Sequence, residues 1–234
     1  MEGSDLQFAR PDPSFDELLP INDDDWHAGK LSPNQPLYSS SFSSIAELGP
    51  FARLCQASHM LSKVTRHREC RLNSKEGVSE LLKESASLHQ ALISLQLSIE
   101  ETCSNDVSHK LRSLLSPATA ICFLARYSLY YLYGCTDVPG PAGDHSAQEA
   151  EMQSLSLAGL RLLATSFTGL TQIDSRCPFL PQCYYFAAYT CAWFVQEDNE
   201  PEMWDALRCF VDTLRHRSKA LGVAGIYTPF SLFI

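Results

Sequence analysis

The sequence predicts an all-α fold, with about six helices in an irregular bundle or array behind an irregular N-terminal segment. Three observations predict it. Apolar residues recur at steps of three and four over long stretches. Glycine and proline are sparse inside those stretches and cluster between them. No segment alternates with period two between hairpin turns. Residues 1–44 read as irregular, with five prolines, an aspartate run and the start of the serine cluster "YSSSFSSIAE". Residues 45–224 read as a helical domain and 225–234 as an apolar tail.

The first helix opens at "LGPFARLCQASHMLSKVTRHREC", with Gly49 as N-cap and Pro50 as first helical residue, where its missing N–H costs nothing. Phe51, Leu54, Cys55, Leu61 and Val64 form its apolar face; Arg53, Gln56, Lys63 and Arg66 lie elsewhere. Arg66-His67-Arg68 gives it a basic end, suited to the negative pole of a helix. The second helix starts from Ser74 as N-cap and carries a seam, Leu81, Ser85, Leu88, Leu92, Leu95 and Ile99. Lys83, Glu84, Gln90, Ser94 and Ser98 form its polar side, and His89 borders the seam.

A third helical region covers about 105–133, and Ser116-Pro117 restarts or kinks it. Beyond the proline, "ATAICFLARYSLYYLYG" is apolar on most sides and belongs near the centre. "GCTDVPGPAGDHS" is a loop. A fourth helix follows in "AQEAEMQSLSLAGLRLLATSFTGLTQID", then a break at "SRCPFLPQ". The fifth, "CYYFAAYTCAWFVQED", puts Tyr185, Tyr189 and Trp193 on one stripe. The sixth, from Pro201 to about Leu221, turns Trp204, Leu207, Val211 and Leu214 inward.

Composition narrows the function. The chain has 234 residues and a formal net charge of -9, so it repels phosphate backbones and is expected to bind no DNA directly by itself. No apolar run reaches a membrane-spanning length, and the N-terminus does not read as an export signal. Nine cysteines are present, no two closer than six residues. The C-x2-C knuckles of structural zinc modules and redox dithiols are therefore absent.

Three constellations invite a chemical reading. Asp23, Asp24 and Asp25 could bind a divalent metal, as the aspartates of all-helical terpene cyclases do. Consecutive carboxylates, however, fan through about 200° of a helix, whereas a shared metal needs them a turn apart. They read better as a solvated loop or helix cap, with Leu18, Leu19 and Trp26 anchoring the segment. Cys55 and His59 are one helical turn apart but read as core packing and a solvent-facing ring. The tyrosines of "YSLYYLYG" and "YYFAAYTCAW" read as core, with a small-molecule pocket as the other reading. No catalytic, cofactor-binding or metal-binding residue is expected, and the chain is not expected to be an enzyme.

In order, "LLPINDDDWHAGK", "GPFARLCQASHMLSKVTRHRE", the seam helix, "TAICFLARYSLYYLY", "EAEMQSLSLAGLRLLA" and "YYFAAYTCAWFVQED" resemble the C-terminal part of the fungal-specific transcription factor domain. The resemblance spans about Phe15 to Leu221. It implies a helical module regulating transcription in the nucleus, with the cytoplasm as the other location. The resemblance also implies control of a metabolic or secondary-metabolite gene cluster, exerted through protein partners, self-association or a small-molecule effector. The six-cysteine, two-zinc DNA reader that opens such regulators is not in this sequence, and the resemblance begins in mid-domain. A truncated module, or an upstream exon lost from it, is the corresponding expectation. A small-molecule-binding or terpene-cyclase-like all-α enzyme is the alternative.

Overall fold

Gly49 and Pro50 start the first long helix as the sequence predicts. A Cβ on Gly49 would lie 3.0 Å from Oδ1 of Asn22, so only glycine lets the acidic segment approach this closely. The computed structural model describes residues 13, 17–31, 34–37, 48–73, 78–105, 109–134, 146–172 and 177–221. Within these, a short helix α1 (Asp23–His27) precedes α2 (Pro50–Asn73), α3 (Val78–Asn105), α4 (His109–Gly134) and α5 (Ser146–Ser166). A 3₁₀ segment, Phe167–Gln172, continues α5; α6 (Leu180–Asp198) and α7 (Pro201–Leu221) complete the array. The fold is all-α. The N-cap expected at Ser74, the loop at 135–145 and the tail at 225–234 lie outside the described residues.

Helix α4 organises the core. One face joins α2 and α3 in a cluster built on Val64, Leu92, Leu95, Ile99, Leu115 and Leu129. The other face joins α5, α6 and α7 around Phe123, Tyr130, Leu160, Tyr184 and Phe210. Leu92 and Leu95 are wholly buried, each worth roughly 1.5–3 kcal/mol of transfer free energy. No helix of the described residues is long and apolar enough to cross a membrane.

Pro117 does not divide α4, which runs unbroken through it. The Ser116 hydroxyl donates to the Ser113 carbonyl at 2.7 Å, the acceptor that a residue-117 N–H would have served. Between α6 and α7 the turn is made by Asn199 in the left-handed conformation (φ 51°, ψ 38°), its N–H donating to Val195. Pro201 then opens α7.

Several expectations need correction. Of the two readings of Asp23–Asp25, loop or helix cap, the structure is nearer the second: they form the first turn of α1, after Asn22 as N-cap, where their charge suits the positive helix pole. Of the expected anchors only Leu19 is buried; Leu18 is 60% and Trp26 72% exposed. Leu18 sits in an isolated antiparallel bridge with Pro36, so neighbouring side chains alternate in and out. On α2 the buried stripe is Ala52, Arg53, Gln56, Ala57, Met60, Val64 and His67. Phe51 is exposed and Arg53 and Gln56 are inside, because small residues let α2 lie close to α4 and the larger apolar ones were left at the edge. The basic triplet is not a helix end, since α2 continues to Asn73, and its His67 is buried. On α3, Leu82 rather than Leu81 closes the seam, and Ser98 is buried despite its assignment to the polar side.

Candidate functional site

Two polar clusters cross the helix interfaces. In the first, His67 of α2 is buried and its Nδ1–H donates to the Glu84 carboxylate at 2.8 Å. Its Nε2 lies 2.8 Å from the Tyr133 hydroxyl. Burial pushes the Tyr133 hydroxyl pKa up, with the Arg71 guanidinium opposing it. Arg71 donates to Glu149 at 2.9 Å and lies over the Tyr133 ring. This cluster staples α2 to α3, α4 and α5.

In the second, Arg126 is buried in α4 and donates to the hydroxyl of Tyr130, with Nη2 at 3.1 Å. Tyr130 in turn donates to Nδ1 of His89 at 2.9 Å. Burial, then the Arg126 charge, pushes the His89 pKa down, so His89 is the neutral acceptor this geometry requires. Arg126 also donates to the Gln96 carbonyl oxygen. The Gln96 amide donates to Glu100 at 2.6 Å.

That chain of groups ends at a cleft of about 350 Å³ between α3, α4, α5, the 3₁₀ segment and α6. Its apolar wall includes Ile99, Phe123, Leu163, Phe167 and Leu180; its polar wall includes Gln96, Glu100, Arg112, Ser116 and Thr119. The volume is at the lower end of the roughly 300–1,000 Å³ of small-molecule sites, as is the mix of apolar walls and few polar groups. The cleft can take up a small amphipathic molecule and sits where the two core clusters meet.

The residues weighed from sequence fall elsewhere. Asp23 borders a separate surface cleft with Pro20, Ile21, Trp26, Leu31 and Phe51. Among the described residues no three His, Cys, Asp or Glu side chains gather as a metal site. Cys55 and His59 are both half-buried, which corrects the expectation of a core thiol and a solvent-facing ring. Burial pushes the Cys55 thiol pKa up, opposite to what an activated nucleophile needs. The tyrosines divide between both readings. Tyr130 and Tyr184 are core, whereas Tyr131, Tyr185 and Tyr189 border a third cleft of about 360 Å³.

Sequence reasoning passed over Gln96, Glu100, Arg112 and Arg126. The one available signal was Arg126, a lone charge in the apolar stretch that follows Pro117. No protein-family model, curated protein or solved structure matches the chain.

Proposed function

We propose that this chain is a transcription-regulatory module, acting in the nucleus through a small-molecule effector and protein contacts. The observation that carries the reading is the position of the α3–α6 cleft. A ligand there touches Ile99 of the α2–α3–α4 cluster and Phe123, Leu163, Phe167 and Leu180 of the other. Its binding energy therefore depends on how the two clusters are set against α4. Such a differential interaction is what shifts a helical module between states. The sequence resemblance supports the regulatory setting, including control of a metabolic gene cluster, with a protein partner or second copy supplying the readout.

The terpene-cyclase-like alternative is less well supported, because Asp23–Asp25 stand on α1 and none of them lines this cleft. The test is a reporter assay. The chain is fused to a heterologous DNA-binding domain and transcription is compared with that domain alone. A change in reporter output is expected; output equal to the domain alone sinks the regulatory reading.

A further inference from the structure

We propose that the surface cleft between α1 and the start of α2 docks a basic segment of a partner protein, one that carries a large apolar side chain among lysines or arginines; this rests on the regulatory reading only in giving the module a protein to meet. The cleft holds about 480 Å³ and is walled by Pro20, Ile21, Trp26, Leu31 and Phe51, with Asp23 at its edge. Three of those walls are left in solvent: Leu31 is fully exposed, Trp26 72% and Phe51 54%. Leu31 and Trp26 are the two most exposed large apolar side chains among the described residues. Apolar surface gathered around a concavity marks a contact surface, whereas single exposed leucines need no partner.

The cleft is also preformed. Buried Leu19 ties the segment to the core, and its N–H donates to the Gln35 carbonyl at 2.7 Å. The Leu37 N–H donates to the Glu17 carbonyl at 2.8 Å and closes a short antiparallel pair. Asn22 lies against Gly49 at the start of α2. After α1, Gly29 in the left-handed conformation (φ 65°) turns the chain back and brings Leu31 to the cleft. A partner side chain therefore enters a site already built and is spared the cost of ordering it.

Charge selects the occupant. Residues 1–49 hold nine acidic and two basic side chains, a net charge of -7 out of the chain's -9. Asp23 and Asp24 are exposed, and no cation among the described residues pairs with either. A second copy would bring the same acidic surface, and an anionic lipid surface would be repelled. A basic segment is drawn in, and its apolar side chain fills the cleft. A flanking lysine or arginine can then lie over the exposed Trp26 ring.

The test is fluorescence anisotropy of labelled peptides titrated with the full chain. The probes are KLLKKLLKKLLK and RWRRWRRW; the comparisons are ELLEELLEELLE, which lacks the bases, and KSSKKSSKKSSK, which lacks the apolar anchors. One-site binding of at least one probe is expected, at least tenfold tighter than either comparison and weaker at high salt. Trp26→Ala and Leu31→Ser should each weaken it about tenfold, and the double change Asp23→Asn with Asp24→Asn several-fold. These side chains are all exposed, so the variants keep their fold; thermal unfolding checks this.

Absence of binding by both probes overturns the proposal. So does equal binding of either comparison peptide, or affinity unchanged in both Trp26→Ala and Leu31→Ser. Sedimentation of the chain alone as a dimer that Leu31→Ser disperses would assign the cleft to a second copy and overturn it too. None of these outcomes touches the regulatory reading, which stands or falls on the tethered reporter.

Discussion

Ser116 donates its hydroxyl proton to the carbonyl of Ser113, one turn back and directly opposite the missing N–H of Pro117. The arrangement lets a proline sit inside α4 without ending it. Ser116→Ala should cost about 1 kcal/mol in urea unfolding, by stranding the half-buried Ser113 carbonyl. In a Pro117→Ala background the same change should cost distinctly less, since an N–H then serves Ser113. Equal costs in the two backgrounds would show that the serine acts otherwise.

Tyr133 closes the cluster around His67. Tyr133→Phe keeps the ring and removes the hydroxyl facing buried Nε2 at 2.8 Å. A loss of roughly 1–3 kcal/mol is expected, the cost of an unserved buried polar atom. Tyr189→Phe, at a ring 47% exposed, should stay within about 0.5 kcal/mol of the parent. Chemical denaturation of the pair measures the contrast.

Gly159 and Gly169 should respond oppositely to alanine. A Cβ at Gly159 would lie 2.7 Å from Cε2 of Tyr130, whose ring is pinned by Arg126 and His89. Gly159→Ala should cost about 1–3 kcal/mol through overpacking. Gly169→Ala meets open space and should be neutral or stabilising by up to about 1 kcal/mol. Thermal midpoints that move together would contradict this packing.

Burial holds the Cys122 and Cys191 thiols up at about 12, and the Tyr184 hydroxyl also at about 12. Each stays protonated in the fold above the pH where it ionises in the unfolded chain. The unfolded state then binds fewer protons, and stability falls as pH rises. Stability from these groups should be intact below about pH 8.5, then decline toward pH 12. Denaturant midpoints across that range measure it. In the same fold, iodoacetamide at pH 8 should label exposed Cys70 well ahead of Cys122 and Cys191; equal rates would refute the burial.

Much of the fold was legible because it rests on periodicity. The steps from Ser85 to Ile99 placed one face of α3, and Pro201 marked the start of α7. Misreadings came where size and polarity disagree with position. Arg53 and Gln56 lie inside because they are hydrogen-bonded to each other at 3.1 Å and flanked by alanines, a tertiary circumstance that spacing does not express. Trp26 is outside because α1 is too short to bury its own face. The cleft was illegible for a related reason. Gln96, Glu100 and Arg112 look like ordinary solvent-facing residues until α3 and α4 are laid side by side.

Because α4 carries a core on each face, the order of synthesis matters. Once α4 has emerged, α2, α3 and α4 can close one cluster, while the α4 face bearing Phe123 and Tyr130 still lacks its covering helices. Roughly 90 more residues must be made before α7 is complete, an interval of about 4–17 s at the usual 5–20 residues per second. For that time the nascent chain presents an aromatic strip to its surroundings. Expression yield should therefore depend on translation speed and chaperone supply.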